Sequence, residues 1–277
     1  MLNFDFINQS IGSLVLLFLG LSGSLAAQGP VTGFMPNRKS TDIALTYSYE
    51  RFNAYFFGKE KQSSFNQVRS INLFIEHGIS DSFSVVANIP YLSADKFNQG
   101  LQDATIFLKY RGSFRKYNSG SLRQITAVGA SFPISNYPIL TDNPIGQRNT
   151  ILQGRFLGQY QFNNGLFVHL QAGVDFIISP NNQTAIPIVA RTGWGSSTFY
   201  FDAWLEYYHS FSSGTDQQIL GGQGSRWLKA GGVLYYALNP KMGIFVGGAR
   251  ILSGRNIGQS SRINAGLVYK RMPKNQG

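Results

Sequence analysis

The chain contains no cysteine. That excludes thiol nucleophiles, zinc–thiolate sites and disulfide staples. Charged residues make up only 13% of the 277 residues, against about 25% in an average soluble protein. Histidine occurs three times, as His77, His169 and His209. No spacing of His, Asp and Glu suggests a metal site. Beyond the N-terminus there is no apolar run of about 18 residues, so membrane-spanning helices are not expected. The glycine-rich stretch Gly221-Gly222-Gln223-Gly224 falls between two strand-like segments. A phosphate-binding loop needs a strand before it and a helix after it. Neither a cofactor nor a metal is implied.

What the chain does have is aromatic and alternating. Aromatics reach 14%, with 22 Phe and 14 Tyr, and there are 31 Gly. From about Thr41 to Lys270 one unit recurs: roughly ten residues of period-two alternation, then a polar break. In 166–176, Leu166, Val168, Leu170, Ala172, Val174 and Phe176 share one face, and His169, Gln171 and Asp175 the other. Segment 199–208 repeats the pattern. Strand side chains alternate between faces, so each unit is a ribbon with one oily side and one polar side. A tilted strand crosses a bilayer in about 9–11 residues. The expectation is an all-β, transmembrane, up-and-down antiparallel β-barrel in the bacterial outer membrane.

Twelve segments can be marked: 41–52, 68–77, 83–91, 102–111, 122–132, 150–161, 166–176, 185–193, 198–208, 226–237, 242–252 and 261–270. Breaks at 78–82, 163–165, 194–197 and 238–241 are short and rich in Asn, Gly, Pro, Ser and Asp, the chemistry of tight turns. The break at 112–121 is somewhat longer. Between them fall longer loops, at 53–67, 92–101, 133–149, 177–184, 209–225 and 253–260. Outer-membrane barrels have short periplasmic turns and longer extracellular loops. Both termini are therefore expected in the periplasm. An open sheet edge is not tolerated in hydrocarbon, so Ile263–Tyr269 should close the barrel against Leu45–Tyr49.

The N-terminus carries an apolar core, Ile11 to Leu21, followed by the small residues Ser22-Gly23-Ser24-Leu25-Ala26-Ala27. This predicts a secretory signal peptide over 1–27, cut after Ala26 or Ala27, and a barrel domain over 28–277. A positive n-region is missing and Asp5 is acidic; a membrane anchor is the competing reading. No N-terminal plug domain is expected, because strand one begins soon after the cleavage site.

The oily face includes Leu45, Tyr47, Ile71, Ile106, Leu108, Phe199, Phe201, Leu205, Ile263 and Leu267, with Tyr91, Tyr110, Tyr160, Tyr207, Tyr236 and Tyr269 near segment ends. The opposite face supplies the lumen-lining candidates Glu76, Lys109, Arg111, Arg155, His169, Asp175, Arg191, Asp202, Glu206 and Arg262. Phe107, Trp204 and Tyr208 also point inward. Ionisable groups inside a barrel must pair or stay wet. Two readings stay open: a network that fills and stiffens the lumen, and a permeation path. The net charge of +11 is scattered, which speaks against nucleic acid as a partner. It fits solvated loops, or a lumen that attracts anionic or electron-rich solutes. A catalytic alternative, a lipid-modifying enzyme, has only His209 beside Ser210, Ser212, Ser213 and Asp216.

Three stretches resemble the family of outer-membrane transporters named for the meta-cleavage pathway of phenol degradation. One is Gly100-Leu101-Gln102-Asp103 leading into a strand that ends Lys109-Tyr110-Arg111. The second is Ala127-Val128-Gly129-Ala130-Ser131-Phe132-Pro133. The third is the Leu238-Asn239-Pro240-Lys241-Met242 turn before a Gly-rich strand. The resemblance implies a barrel that passes small, often aromatic, compounds. The chain departs from many barrels in ending Lys270-Arg271-Met272-Pro273-Lys274-Asn275-Gln276-Gly277 rather than on an aromatic residue. The expected function is thus passive uptake of small, aromatic or hydrophobic solutes by a monomer. Its partners are outer-membrane lipid, the solutes and the barrel-assembly machinery. A structural or adhesive barrel with a filled lumen is the alternative.

Overall fold

The fold was obtained as a computed structural model, and it describes residues 31–57, 60–137, 145–146, 148–179, 182–211 and 224–273. The predicted signal peptide therefore lies outside the described residues. Twelve long antiparallel strands form one closed meander. They are β1 (Thr41–Phe57), β2 (Glu60–Gly78), β3 (Phe83–Ser93), β5 (Asp103–Tyr117), β6 (Gly120–Pro133), β7 (Thr150–Phe162), β8 (Leu166–Ser179), β9 (Gln183–Gly195), β10 (Phe199–Ser210), β11 (Arg226–Asn239), β12 (Met242–Arg255) and β13 (Ile257–Arg271). A three-residue strand, β4 (Gln99–Leu101), pairs only with the outer end of β3.

Each strand pairs with its sequence neighbours, and β1 pairs with both β2 and β13. The closing register is Leu45 opposite Leu267 and Tyr49 opposite Ile263, the seam the amphipathic pattern demanded. The sheet thereby closes on itself with no free edge strand, its ladders interrupted only locally, as at the bulge between Phe52 and Ala54. With strands about 4.8 Å apart and tilted about 40°, twelve of them enclose a backbone cylinder of about 12 Å radius. That lies between the eight-stranded barrels that side chains fill and the water-filled porins of sixteen or more.

The alternation holds around the wall. Leu45, Tyr47, Ile71, Leu108, Phe201, Leu205 and Leu267 are exposed on the outside. Phe74, Val86, Phe107, Leu157, Phe167 and Val268 are buried inside. An apolar exterior around a closed barrel places the chain in the bacterial outer membrane, as the amphipathic pattern predicts.

Two of the expected loops are strand. Residues 53–57 and 60–67 continue the β1–β2 ladder, with Ala54 opposite Ser63 and Phe56 opposite Lys61 beyond a bulge at Phe52/Ala54. The 253–260 break is a tight connection at Asn256, whose φ is 53°; asparagine tolerates that left-handed conformation. In both places the hairpin rises past the hydrocarbon. There both faces meet water, so hydrophobic alternation stops while the hydrogen-bond ladder continues. The same occurs at the opposite end, where β5 and β6 run to Tyr117 and Gly120. Alternation reports the membrane-embedded part of a strand, not its full length.

Candidate functional site: the barrel lumen

Strand parity delivers polar side chains to the interior, and the lumen sorts them by height above the periplasmic turns. Glu76 and Lys109 form the lowest pair, at 2.7 Å, and both are fully buried. Ser84 donates a second hydrogen bond to Glu76, at 2.8 Å. Asp202 accepts from the Tyr200 hydroxyl at 2.6 Å and lies 3.8 Å from Arg191. Arg155 reaches Asp175 at 2.6 Å. At a similar height, Glu206 faces Lys229 at 3.9 Å and Glu50 accepts from Arg262 Nε at 2.9 Å. His169 is buried, with Nδ1 3.4 Å from Gln159 Oε1. Arg111 is half-buried opposite Ile125 near the periplasmic end and belongs to none of the five ion pairs of the described residues.

Eight of the ten candidates are thus joined in pairs, with Glu50 and Lys229 as partners outside the candidate set. Acid and base offset one another within a few ångströms of each other. The lumen is therefore not a broad basic field, and the excess positive charge lies largely on loops and outer surfaces. Glu50 was legible in principle: Asp42, Ala44, Thr46, Ser48 and Glu50 share one parity in β1, and all face inward.

The strand β10 gives the lumen a second character. Its inward face reads Tyr200, Asp202, Trp204, Glu206, Tyr208, alternating aromatic with acid. Tyr208 stacks on Trp227 of β11 with ring centroids 3.9 Å apart and planes 9° from parallel. The Lys229 ammonium sits 5.5 Å from the Trp204 ring. Tyr200 in turn stacks on Phe167 at 5.7 Å. One side of the lumen is thus an aromatic strip running from the upper part of the barrel to its base.

At the base the interior is occupied by a segment the alternation could not reveal. Residues 31–36 precede β1 and fold back inside the barrel. Val31, Thr32, Phe34 and Met35 are each at most 6% exposed. The Phe34 ring meets Phe167 edge-on at 5.4 Å and Tyr200 at 6.0 Å. The Phe34 carbonyl accepts a hydrogen bond from Lys109 Nζ at 2.7 Å. Gly33 passes so close to Gln159 that a Cβ there would overlap its side chain. The return to the wall is made at Lys39, with φ 64°, whose amide donates to the Gly78 carbonyl. No plug domain was expected; the finding is a six-residue segment ahead of β1 that lies inside the base of the lumen. It lacks periodicity because it is not a strand.

At the other end, Tyr137 anchors the described part of the 133–149 loop. Its hydroxyl donates to Asp103 at 2.7 Å and accepts from the Arg148 amide at 2.7 Å. Burial and the Asp103 carboxylate push the Tyr137 phenol above its ordinary range. His209, the catalytic candidate, packs edge-on against Phe211 at 4.7 Å. Ser212, Ser213 and Asp216 lie outside the described residues.

No family model and no curated protein matches the chain. Solved structures do. An outer membrane channel from Pseudomonas putida F1 superposes with a TM-score of 0.68 at 12% identity, covering 90% of this chain and all of that one. The KdgM porin gives 0.52 at 12% identity, covering 82% and 98%. The NanC porin gives 0.52 at 9%, with the same coverage. At these identities the likeness establishes the outer-membrane barrel fold.

Proposed function

We propose that the protein is a passive outer-membrane channel for small, uncharged solutes, aromatic and hydrophobic ones included. In this reading residues 31–36 close it at the periplasmic end. The observation that carries the proposal is the contrast between wall and plug. The backbone cylinder of about 12 Å radius exceeds that of the filled eight-stranded barrels, and a short lead-in segment lies across its base. Among the described residues, that segment is held by one hydrogen bond from a wall side chain, by the aromatic edge contacts of Phe34 and by burial of Val31 and Met35, and all of these can be broken and remade. Cleavage after Ala27, as the N-terminal sequence predicts, would leave three residues, Gln28-Gly29-Pro30, ahead of Val31.

Two features support the solute class. The compensated ion pairs remove most of the field that would select anions or cations. The strip Tyr208–Trp227–Trp204–Tyr200–Phe167 offers successive ring faces, and offset or edge contacts between rings are each worth about 0.5–1.5 kcal/mol. The resemblance to the phenol-pathway transporters points to the same class. The KdgM porin has been solved with an oligogalacturonate; among the described residues here, Lys109, Arg155, Arg191, Lys229 and Arg262 are each paired with an acid, which leaves an acidic sugar of that kind fewer cations to follow.

The alternative, a structural barrel with a filled lumen, draws on the tight apolar layer of Phe74, Phe107, Leu157 and Phe245 around the plug. Planar-bilayer recording and liposome swelling separate the two. The channel reading expects small, intermittent conductance from the full chain and larger conductance after deletion of 31–36. It also expects faster swelling with phenol-sized neutral solutes. Silence from both proteins, with no solute flux, would overturn it.

A further inference from the structure

The outer wall of β1, β2, β12 and β13 carries a feature that transport does not use. Leu45, Tyr47, Ile71, Ile244, Val246 and Leu267 line a shallow apolar groove of about 510 Å³ on the lipid-facing side. It is deepened where the outward residue is small, at Ala265. Directly above it stand three exposed arginines on the same strands. Arg69 is the next outward residue after Ile71. Arg51 follows two outward steps after Tyr47, and Arg250 two after Val246. Arg51 and Arg250 both flank Ser261 across β13, and Arg69 is diagonal to Arg51 across the Arg51–Gln67 pair. Strand spacing puts Arg51 about 10 Å from Arg250, and a diagonal of about 7–8 Å separates it from Arg69.

Charge and height make this cluster specific. The membrane-embedded outward positions of these four strands hold no carboxylate: Glu50 and Glu76 face inward and are paired. Arg51 is held over the exposed Phe65 ring, 5.0 Å from its centroid. Arg250 lies eight residues above Met242, or about 20 Å at 3.3 Å per residue and 40° tilt. The apolar band of such barrels is about 25 Å tall, so the Arg250 backbone lies about 5 Å below its top, on the side away from the short turns, where a snorkelling guanidinium reaches the outer-leaflet headgroups. Guanidinium forks match phosphate oxygens bidentately.

We propose that this wall is a binding site for lipid A, the phosphorylated, multiply acylated glycolipid of the outer leaflet, with one acyl chain in the groove and a phosphate held by Arg51, Arg69 and Arg250. An isolated interfacial arginine needs no ligand, since it snorkels. Three of them capping an acyl-sized groove on the same four strands form a head-and-tail pair of sites.

The test is titration of the purified full-length barrel in non-ionic detergent, read by native mass spectrometry. Lipid A is expected to bind one to one. The variant combining Arg51→Gln, Arg69→Gln and Arg250→Gln should lose at least about tenfold in affinity, near-surface arginines each contributing severalfold. Its heat-modifiable gel mobility and its conductance should be unchanged, because these side chains face outward. Dephosphorylated lipid A should bind the unaltered barrel as weakly as lipid A binds the variant. Ala265→Phe, which fills the groove and spares the arginines, should weaken lipid A binding severalfold. Should the triple variant fail to fold, Arg51→Gln and Arg250→Gln alone should each cost about threefold. The proposal is overturned if lipid A affinity is unaffected by the arginine changes. It is equally overturned if pyrophosphate or phosphatidylglycerol displaces lipid A at equal concentration, which would mean a generic anion or phospholipid surface.

Discussion

Phe34→Ala should open the barrel without unfolding it. The Phe34 side chain is almost completely buried, and it touches Phe167 and Tyr200 edge-on. Truncating a buried Phe to Ala costs about 3–5 kcal/mol where the cavity cannot collapse. The plug is short and lies inside a wall closed by its own hydrogen bonds, so the loss falls on the plug-in state rather than on the barrel. The Lys109 bond goes to the backbone carbonyl of residue 34 and survives the change. Taking the lower value, about 3 kcal/mol shifts the balance between plug-in and plug-out by roughly a hundredfold. In single-channel recordings the open probability should rise accordingly, with the open-state conductance unchanged, because the wall is unaltered. Heat-modifiable mobility should stay that of the parent. An open probability within threefold of the parent, in a folded variant, would show that Phe34 does not hold the plug.

The remaining predictions concern the ion pairs and the aromatic strip. Glu76→Gln strands the fully buried Lys109 ammonium with a single carbonyl. Breaking one partner of a buried pair costs about 3–5 kcal/mol, which a large fall in the urea midpoint of unfolding should register. Glu50→Gln should cost about 1 kcal/mol or less, because Arg262 is 41% exposed and water screens such pairs; equal losses from the two substitutions would contradict the height ordering of the lumen. Trp227→Ala together with Tyr208→Ala removes the stacked pair. It should slow liposome swelling by phenol-sized aromatics more than by a sugar of similar size, and equal slowing of both would remove the aromatic strip from solute selection.

The barrel was legible in the sequence wherever lipid and lumen impose opposite chemistry on successive residues. Segment 166–176 shows this best: its inward His169, Gln171 and Asp175 and outward Leu170 and Phe176 stand where the alternation put them. The closing seam followed from the need to leave no edge. Hairpin tips such as 53–67 were misread because water bathes both faces there. The inward candidates were found by parity, but their pairing was not, since a pair such as Arg155–Asp175 depends on register between strands that periodicity alone leaves free. Phe34 was invisible for a different reason. A six-residue lead-in with one Phe, one Met and one Pro has no pattern to read, and its role arises only from folding back past Gln159 and Phe167.

The most direct test of the account uses the absence of native cysteine. Gly33 lies against Gln159 on the wall, so Gly33→Cys with Gln159→Cys places two thiols at the contact between plug and barrel. Under oxidation the disulfide should silence the channel in planar bilayers, and reductant should restore conductance to the same molecules within one recording. A cross-linked barrel, its bond verified by mass spectrometry, that conducts equally before and after reduction would contradict the claim that residues 31–36 are the gate.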